Sequence, residues 1–423
     1  MAEELADQPI KVAEELADQP IRVAEDPVRE FAFTPEQQAL RTAVRKFSAE
    51  NFDEATVRRL MESEPRFDPA VWRRLGSELG VLGMSVPEAD GGVGGSLVDQ
   101  AVAVEEFGAT LACGPLFGTV YLAIPALVAC QAGAARDELL SALVEGARTA
   151  AFAVPDRAGA FDRAAVRVRA EGDTLTGTVE RVVDADAADE LLVAATGSDG
   201  VGLYAVDASG PGVQRTPLLT MDLTRPQATV ELNGAPGRLL AGAGGQERSD
   251  SGMGSADTER VVNHALCVGA ALLAVEQVGA AQHLLDLSVD YAKTRLQFGR
   301  PIGSFQAIKH KLADMLVDLE HARSAAYHAA WALSDGSDDP VLAASIAQAL
   351  SSAALQRIAS DTIQVHGGIG FTWEHQAQLF FKRAATDAAL LGNAEQHRSR
   401  VAELVLDNAV AHSGAVKVAT GQA

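Results

Sequence analysis

The residues whose types and spacing could do chemistry gather in one stretch, Arg295-Leu296-Gln297-Phe298-Gly299-Arg300-Pro301-Ile302-Gly303-Ser304-Phe305-Gln306. A cation, an aromatic ring, two glycines and a proline stand there between amphipathic segments. That composition makes a tight helix-to-helix corner with a charged group aimed at an anion. It also makes a plain helical hairpin turn whose arginine caps carbonyls, so the surrounding elements have to decide.

From Asp257 onward the apolar period is helical. It predicts helices from about Asp257 to Thr294, Phe305 to Ser334, Pro340 to Val365 and Glu374 to Asn408, a four-helix bundle with binding sites at its corners. Upstream, Thr34-Pro35-Glu36-Gln37 predicts a capped helix start whose stripe is Leu40, Ala43, Val44 and Phe47. Asp68-Pro69 opens a helix carrying Val71, Trp72, Leu75 and Leu79, and helical patterns continue over 97–108 and 116–146, with a break expected at Pro125. Near Ala150 the texture becomes β-branched, with strands predicted at 150–154, 164–170, 174–183, 190–195, 201–206 and 227–232.

The fold class read from this order is mainly α with a central β domain. A disordered acidic tail (1–30), in which residues 2–10 recur as 13–21, precedes an N-terminal helical domain (31–148). A middle β-barrel or sandwich domain (149–240), a flexible linker (241–256), the C-terminal four-helix bundle (257–410) and a short tail (411–423) follow.

Composition excludes several classes. With 57 acidic and 35 basic residues the net charge is −22, opposite to what a nucleic-acid phosphate backbone demands. No apolar run approaches the ~20 uncharged residues of a membrane span, and the acidic N-terminus does not read as a signal peptide. Cys113, Cys130 and Cys267 are few, odd in number and in apolar contexts. They read as buried thiols in a reducing cytoplasm, and no Cys/His spacing suggests a metal.

Three motifs in this order resemble the acyl-CoA dehydrogenase family over nearly the whole chain from residue 31. They are Trp72 to Gly94, with Val86-Pro87-Glu88 before a Gly-Gly turn; the Arg295–Gln306 corner; and Gln364-Val365-His366-Gly367-Gly368-Ile369-Gly370. The resemblance implies a flavin enzyme that oxidises an acyl-CoA across its α and β carbons, a carboxylate taking the α proton as the β hydride leaves. It implies an electron-transfer flavoprotein as electron acceptor. It also implies that both corners reach a neighbouring subunit's FAD: Arg295 toward the pyrophosphate, with Gln297, Phe298, Phe305 and Gln306 along it. Gln364, His366, Gly367 and Gly368 would supply the second contact, where glycine admits close backbone approach. Without the family, Gly367-Gly368 reads as a helix C-cap.

The chain departs from the family where the chemistry should be. Gly392 stands in place of the usual glutamate base and Gly269 in place of the alternative one, although Gln396 survives as a possible flavin contact. Glu276 is the nearest candidate base on its helix, with a buried structural role as the alternative. The family's Thr-Glu-Pro-x-x-Gly-Ser-Asp flavin loop is replaced by Ala153-Val154-Pro155-Asp156-Arg157-Ala158-Gly159-Ala160-Phe161-Asp162. The resemblance is therefore to the base-lacking subunit of heteromeric α2β2 enzymes, of steroid side-chain or pimeloyl-CoA small-subunit type, completing a partner's FAD site. The alternatives are a self-sufficient enzyme using Glu276 and an inactive acyl-CoA-binding scaffold. Thr372 and Glu374 read as the N-cap and first-turn acid of the last helix.

Overall fold

A computed structural model describes residues 32–242, 253–336 and 338–419. The duplicated acidic segment, most of the linker and the last residues lie outside that range. The contacts set Met1–Gln38 apart as one unit, and from Ala39 the chain is a second.

Helix α1 (Pro35–Asn51) opens on the expected capping box, with Thr34 and Gln37 exchanging side-chain and backbone hydrogen bonds of 3.1 and 3.2 Å. Helices α2 (Glu54–Leu60), α3 (Pro69–Ser77) and α4 (Leu97–Thr110) follow. Asp68 caps α3 as its sequence predicts. The break expected at Pro125 is displaced. A π-helical stretch, Leu116–Ala123, runs straight into α5 (Ile124–Ala129). Pro125 sits in the first turn of α5, where a missing N–H does no harm, and the chain breaks instead at 130–133, before α6 (Ala134–Val144).

The middle part is one sheet of β1 (Ala150–Ala153), β4 (Val168–Glu171), β5 (Thr174–Val183), β6 (Glu190–Gly197), β7 (Gly200–Asp207), β8 (Val213–Pro217), β9 (Gln227–Pro236) and β10 (Arg238–Ala241). Its order is β10-β7-β6-β4-β5-β9-β8, with β1 added beside β6. Strands β8 and β10 have little apolar alternation and went unpredicted. The small hairpin of β2 (Asp156–Arg157) and β3 (Ala160–Phe161) stands apart from the sheet. Thr119 stitches the π-helical stretch to β1, accepting from the Ala150 N–H (2.8 Å) and donating to its carbonyl (2.9 Å).

The C-terminal part begins with α7 (Met253–Thr294), long and apolar enough to cross a membrane, but its apolar window is 89% buried inside the protein. A two-stranded ribbon, β11 (Leu296–Gln297) and β12 (Arg300–Pro301), leads to α8 (Gln306–Asp335) and then α9 (Pro340–His366). The fourth bundle helix is not continuous. After the short α10 (Gly368–Phe371), the helix expected from Glu374 to Asn408 is divided into α11 (Ala377–Asp387) and α12 (Ala394–Ala419). Leu391 and Gly392 enter the left-handed region at φ 54° and 96°, and Asn393 then starts a new helix by exchanging two 2.9 Å bonds with Gln396. Because α12 continues to Ala419, the expected tail from 411 is helical for most of its length.

Candidate active site

Helices α7 and α9 run side by side in the same direction. Ser288 donates to Thr362 across them at 3.1 Å, and one turn on, Tyr291 stacks on His366 with centroids 4.4 Å apart. Their C-termini therefore put the two candidate corners at one end of the bundle. The first is an antiparallel ribbon whose tip, Phe298-Gly299, has both residues at positive φ (53° and 76°), the geometry of a two-residue hairpin turn that matches strand twist. Arg295, Gln297, Phe298 and Gln306 are exposed and Phe305 is half-buried. The Arg295 guanidinium has no ion pair among the described residues.

At the second corner Gln364, Gly367 and Gly368 are exposed. Gly367 adopts φ 64° and ψ −140°, and its N–H returns to Ile363 and Gln364 carbonyls, so it does cap α9. His366 is placed differently from its neighbours. It is 4% exposed, sandwiched between Tyr291 and His375, with Nδ1 paired to the Thr362 carbonyl at 2.8 Å and Nε2 unpartnered. Gln396, exposed, is engaged in the cap of α12. Thr372 does not cap the last helix; its hydroxyl donates to Ile369 at 2.7 Å, and His375 Nδ1 accepts the Ala377 N–H at the start of α11.

The two positions where the resemblance places a base, Gly392 and Gly269, are both closed by packed neighbours. A Cβ at Gly392 would stand 2.5 Å from Ala158 Cα, and one at Gly269 2.5 Å from a Leu122 methyl. The β2–β3 hairpin is what closes the first position. Arg400 of α12 donates to the Ala158 carbonyl (2.7 Å), and Asn263 of α7 accepts the Phe161 N–H (2.9 Å). The altered 153–162 loop thus lies where a base at 392 would project. Beside it a cavity of about 1160 Å³ is walled by Phe117, Leu122, Phe152 and Leu391, with Arg167 and Thr386 among its polar residues.

Glu276 is not on that cavity. It is 3% exposed, and Tyr121 donates to it at 2.8 Å, Arg383 at 2.5 Å and Arg225 more closely still. Burial pushes its carboxyl up, but the two guanidiniums outweigh burial and hold it well below the usual range, at about 2. A carboxylate so neutralised and so fixed is a poor proton acceptor; its place is structural. Arg383 also pairs with Asp222 at 2.9 Å and with the Thr224 hydroxyl at 2.7 Å. Next to Arg225 at 3.6 Å lies Asp387, both of whose oxygens lack a hydrogen bond; burial raises its carboxyl to about 7. The sequence reading passed over Arg225, Arg383 and Asp387. The available signal was an arginine on the apolar face of a helix, among Leu379, Phe380 and Ala384.

Comparison with known proteins follows the same outline. The family description "Acyl-CoA dehydrogenase, N-terminal domain" matches residues 34–147, and "Acyl-CoA dehydrogenase, C-terminal domain" matches residues 259–406. The acyl-CoA dehydrogenase IpdE2 of Mycolicibacterium smegmatis is 36% identical, with 86% of this chain and 97% of that protein covered. FadE34 of Mycobacterium tuberculosis is 35% identical over 88% of this chain and 48% of its own length. Among solved structures, a steroid ACAD, Tcur3481-Tcur3483, superposes with a TM-score of 0.77 at 30% identity, covering 89% of this chain and 99% of the other. The ChsE4-ChsE5 complex from Mycobacterium tuberculosis gives 0.75 at 29% identity, with the same coverage.

Proposed function

Because the chain belongs to the acyl-CoA dehydrogenase family, we propose that it is the base-lacking subunit of a heteromeric FAD-dependent acyl-CoA dehydrogenase. One observation carries this reading: both base positions are glycines closed by packed neighbours, while the Arg295 corner is exposed with its guanidinium unpaired. The chain has kept what it can offer outward and filled what it would need inward.

FAD supplies the acceptor for the β hydride of an acyl-CoA thioester, and the α proton goes to a carboxylate of the partner. This chain's residues hold and enclose. Arg295 fits the diphosphate of the cofactor, because a guanidinium offers a fork of N–H donors and this one has no competing carboxylate. Gln297 and Gln364 add neutral donors at the same end of the bundle. Phe298, Phe371 and Trp373 are 90, 82 and 75% exposed, an apolar rim that a second subunit would cover and thereby keep water from the site. The steroid ACAD favours an acyl group of steroid type, and the ChsE4-ChsE5 complex favours assembly with a second, different subunit, which we take to be α2β2. We take the electron acceptor to be an electron-transfer flavoprotein and the compartment to be the cytoplasm, which suits three buried free thiols.

The test is to purify the chain alone and co-expressed with an acyl-CoA dehydrogenase subunit that carries the glutamate. Alone it should be colourless and inactive; the complex should be yellow, bleach with acyl-CoA, and lose flavin on Arg295→Ala. A lone chain that is yellow and bleached by acyl-CoA overturns the proposal.

A further inference from the structure

The ribbon that presents Arg295 carries a second cation that neither the family resemblance nor the sequence reading gave a role. The register pairs Gln297 with Arg300 and Leu296 with Pro301, and the Ile302 N–H continues the ladder to the Arg295 carbonyl at 2.9 Å. Side chains alternate along such a ribbon, so Arg295, Gln297 and Arg300 share one face. Arg295 and Arg300 are diagonal neighbours, about 7–8 Å apart at the backbone and within mutual reach for long side chains.

Two guanidiniums on one face of an exposed ribbon repel each other unless an anion lies between them, and none of the described residues supplies it. Residues 295–306 contain two arginines and no acid, in a chain of net charge −22. Arg300 is nevertheless held. Its guanidinium lies 4.2 Å from the Phe305 ring centroid, and Phe298 meets the same ring edge-on at 6.0 Å. The ring covers one side of the group and leaves N–H donors for a ligand. A hairpin tip with two residues at positive φ sets the spacing rigidly. Two forks on one face, with an aromatic floor beneath one of them, suit two adjacent phosphates better than one.

We propose that Arg300 is a second anion-binding residue of this corner, taking one phosphate of a dinucleotide's diphosphate while Arg295 takes the other. This rests on the reading that the corner completes a partner's FAD site, and it makes that contact specific for the adenosine diphosphate end of the cofactor.

The experiment uses the complex of this chain with its glutamate-bearing partner, stripped of flavin and titrated with FAD, FMN and ADP by flavin fluorescence and competition. Arg300→Ala should weaken FAD about tenfold or more, as loss of a charge-assisted contact does, leave FMN unchanged and blunt competition by ADP. Arg300→Lys should recover part of the loss. The Arg295→Ala/Arg300→Ala double variant should be weaker than either single one, and FAD affinity should depend less on salt. FAD affinity of Arg300→Ala within twofold of the parent, with Arg295→Ala impaired, overturns this inference alone. So does dissociation of the Arg300→Ala complex, seen by native mass spectrometry, with unchanged FAD affinity in the complex that remains. A parent complex that holds no FAD, or is indifferent to Arg295→Ala, overturns the shared-site reading as well.

Discussion

Glu276 shows how a residue that looks catalytic by position is claimed by its surroundings. Two buried arginines and a tyrosine converge on it, so removing its charge leaves two buried cations to the two remaining carboxylates, Asp222 and Asp387. Glu276→Gln should destabilise the protein by about 3–5 kcal/mol, measured by denaturant unfolding. The pH dependence has a definite sign. The folded carboxyl lies at about 2, below its ordinary 4.5, so its contribution is fully present above 4.5 and is lost as pH falls toward 2. The variant should lack that component of acid unfolding. A variant as stable as the parent would remove the network from any account of the core.

At the scale of elements, the ends of α7 and α9 are joined by aromatic stacking of Tyr291 on His366, which packs in turn at a tilt against His375. Burial lowers both imidazoles, the charge of His366 lowers His375 further, and only the Thr362 carbonyl opposes this at His366. Glu54 and Arg58 also act on His375, in opposite directions. Folded values below the ordinary 6.5 mean that the corner's stability is present above 6.5 and is lost as pH falls through the lower folded values. Thermal melts between pH 7.5 and 5 should show this loss, and His366→Phe should flatten it; an equal slope in both proteins would place the titration elsewhere. Much at this scale was legible in the sequence: the capping box at Thr34, the corner at Arg295 and the cap at Gly367 are local patterns. The break in the fourth bundle helix was less legible, because Ala388 to Gly392 continues an apolar run and only the Asn393–Gln396 box, met from its far side, marks the restart. Wholly illegible were contacts that exist only after folding, such as Ala158 against Gly392 or Asp222 against Arg383.

For the whole molecule, the order of helices, sheet and bundle followed from changes of period along the chain, whereas its surface did not. Phe298, Phe371 and Trp373 are rings of the kind usually buried, and the structure leaves them outside at the end of the bundle that bears both corners. Replacing Phe298 and Trp373 by Ser should leave the melting of the lone chain within about 0.5 kcal/mol, as exposed substitutions do, and should weaken assembly with the partner at least tenfold by sedimentation or native mass spectrometry. Unchanged assembly would move the interface to another face.

The interlock between Gly392 and the β2–β3 hairpin also bears on reversibility. A single codon change that puts glutamate at position 392 meets the backbone of Ala158 and a left-handed φ of 96°, so the protein pays the steric penalty before any chemistry can reward it. The hairpin would have to move first, giving up the Arg400 and Asn263 bonds that seat it. The two sites are therefore epistatic: neither change is advantageous without the other, and the proposed dependence on a partner would be held in place by backbone geometry as well as by the lack of one functional group.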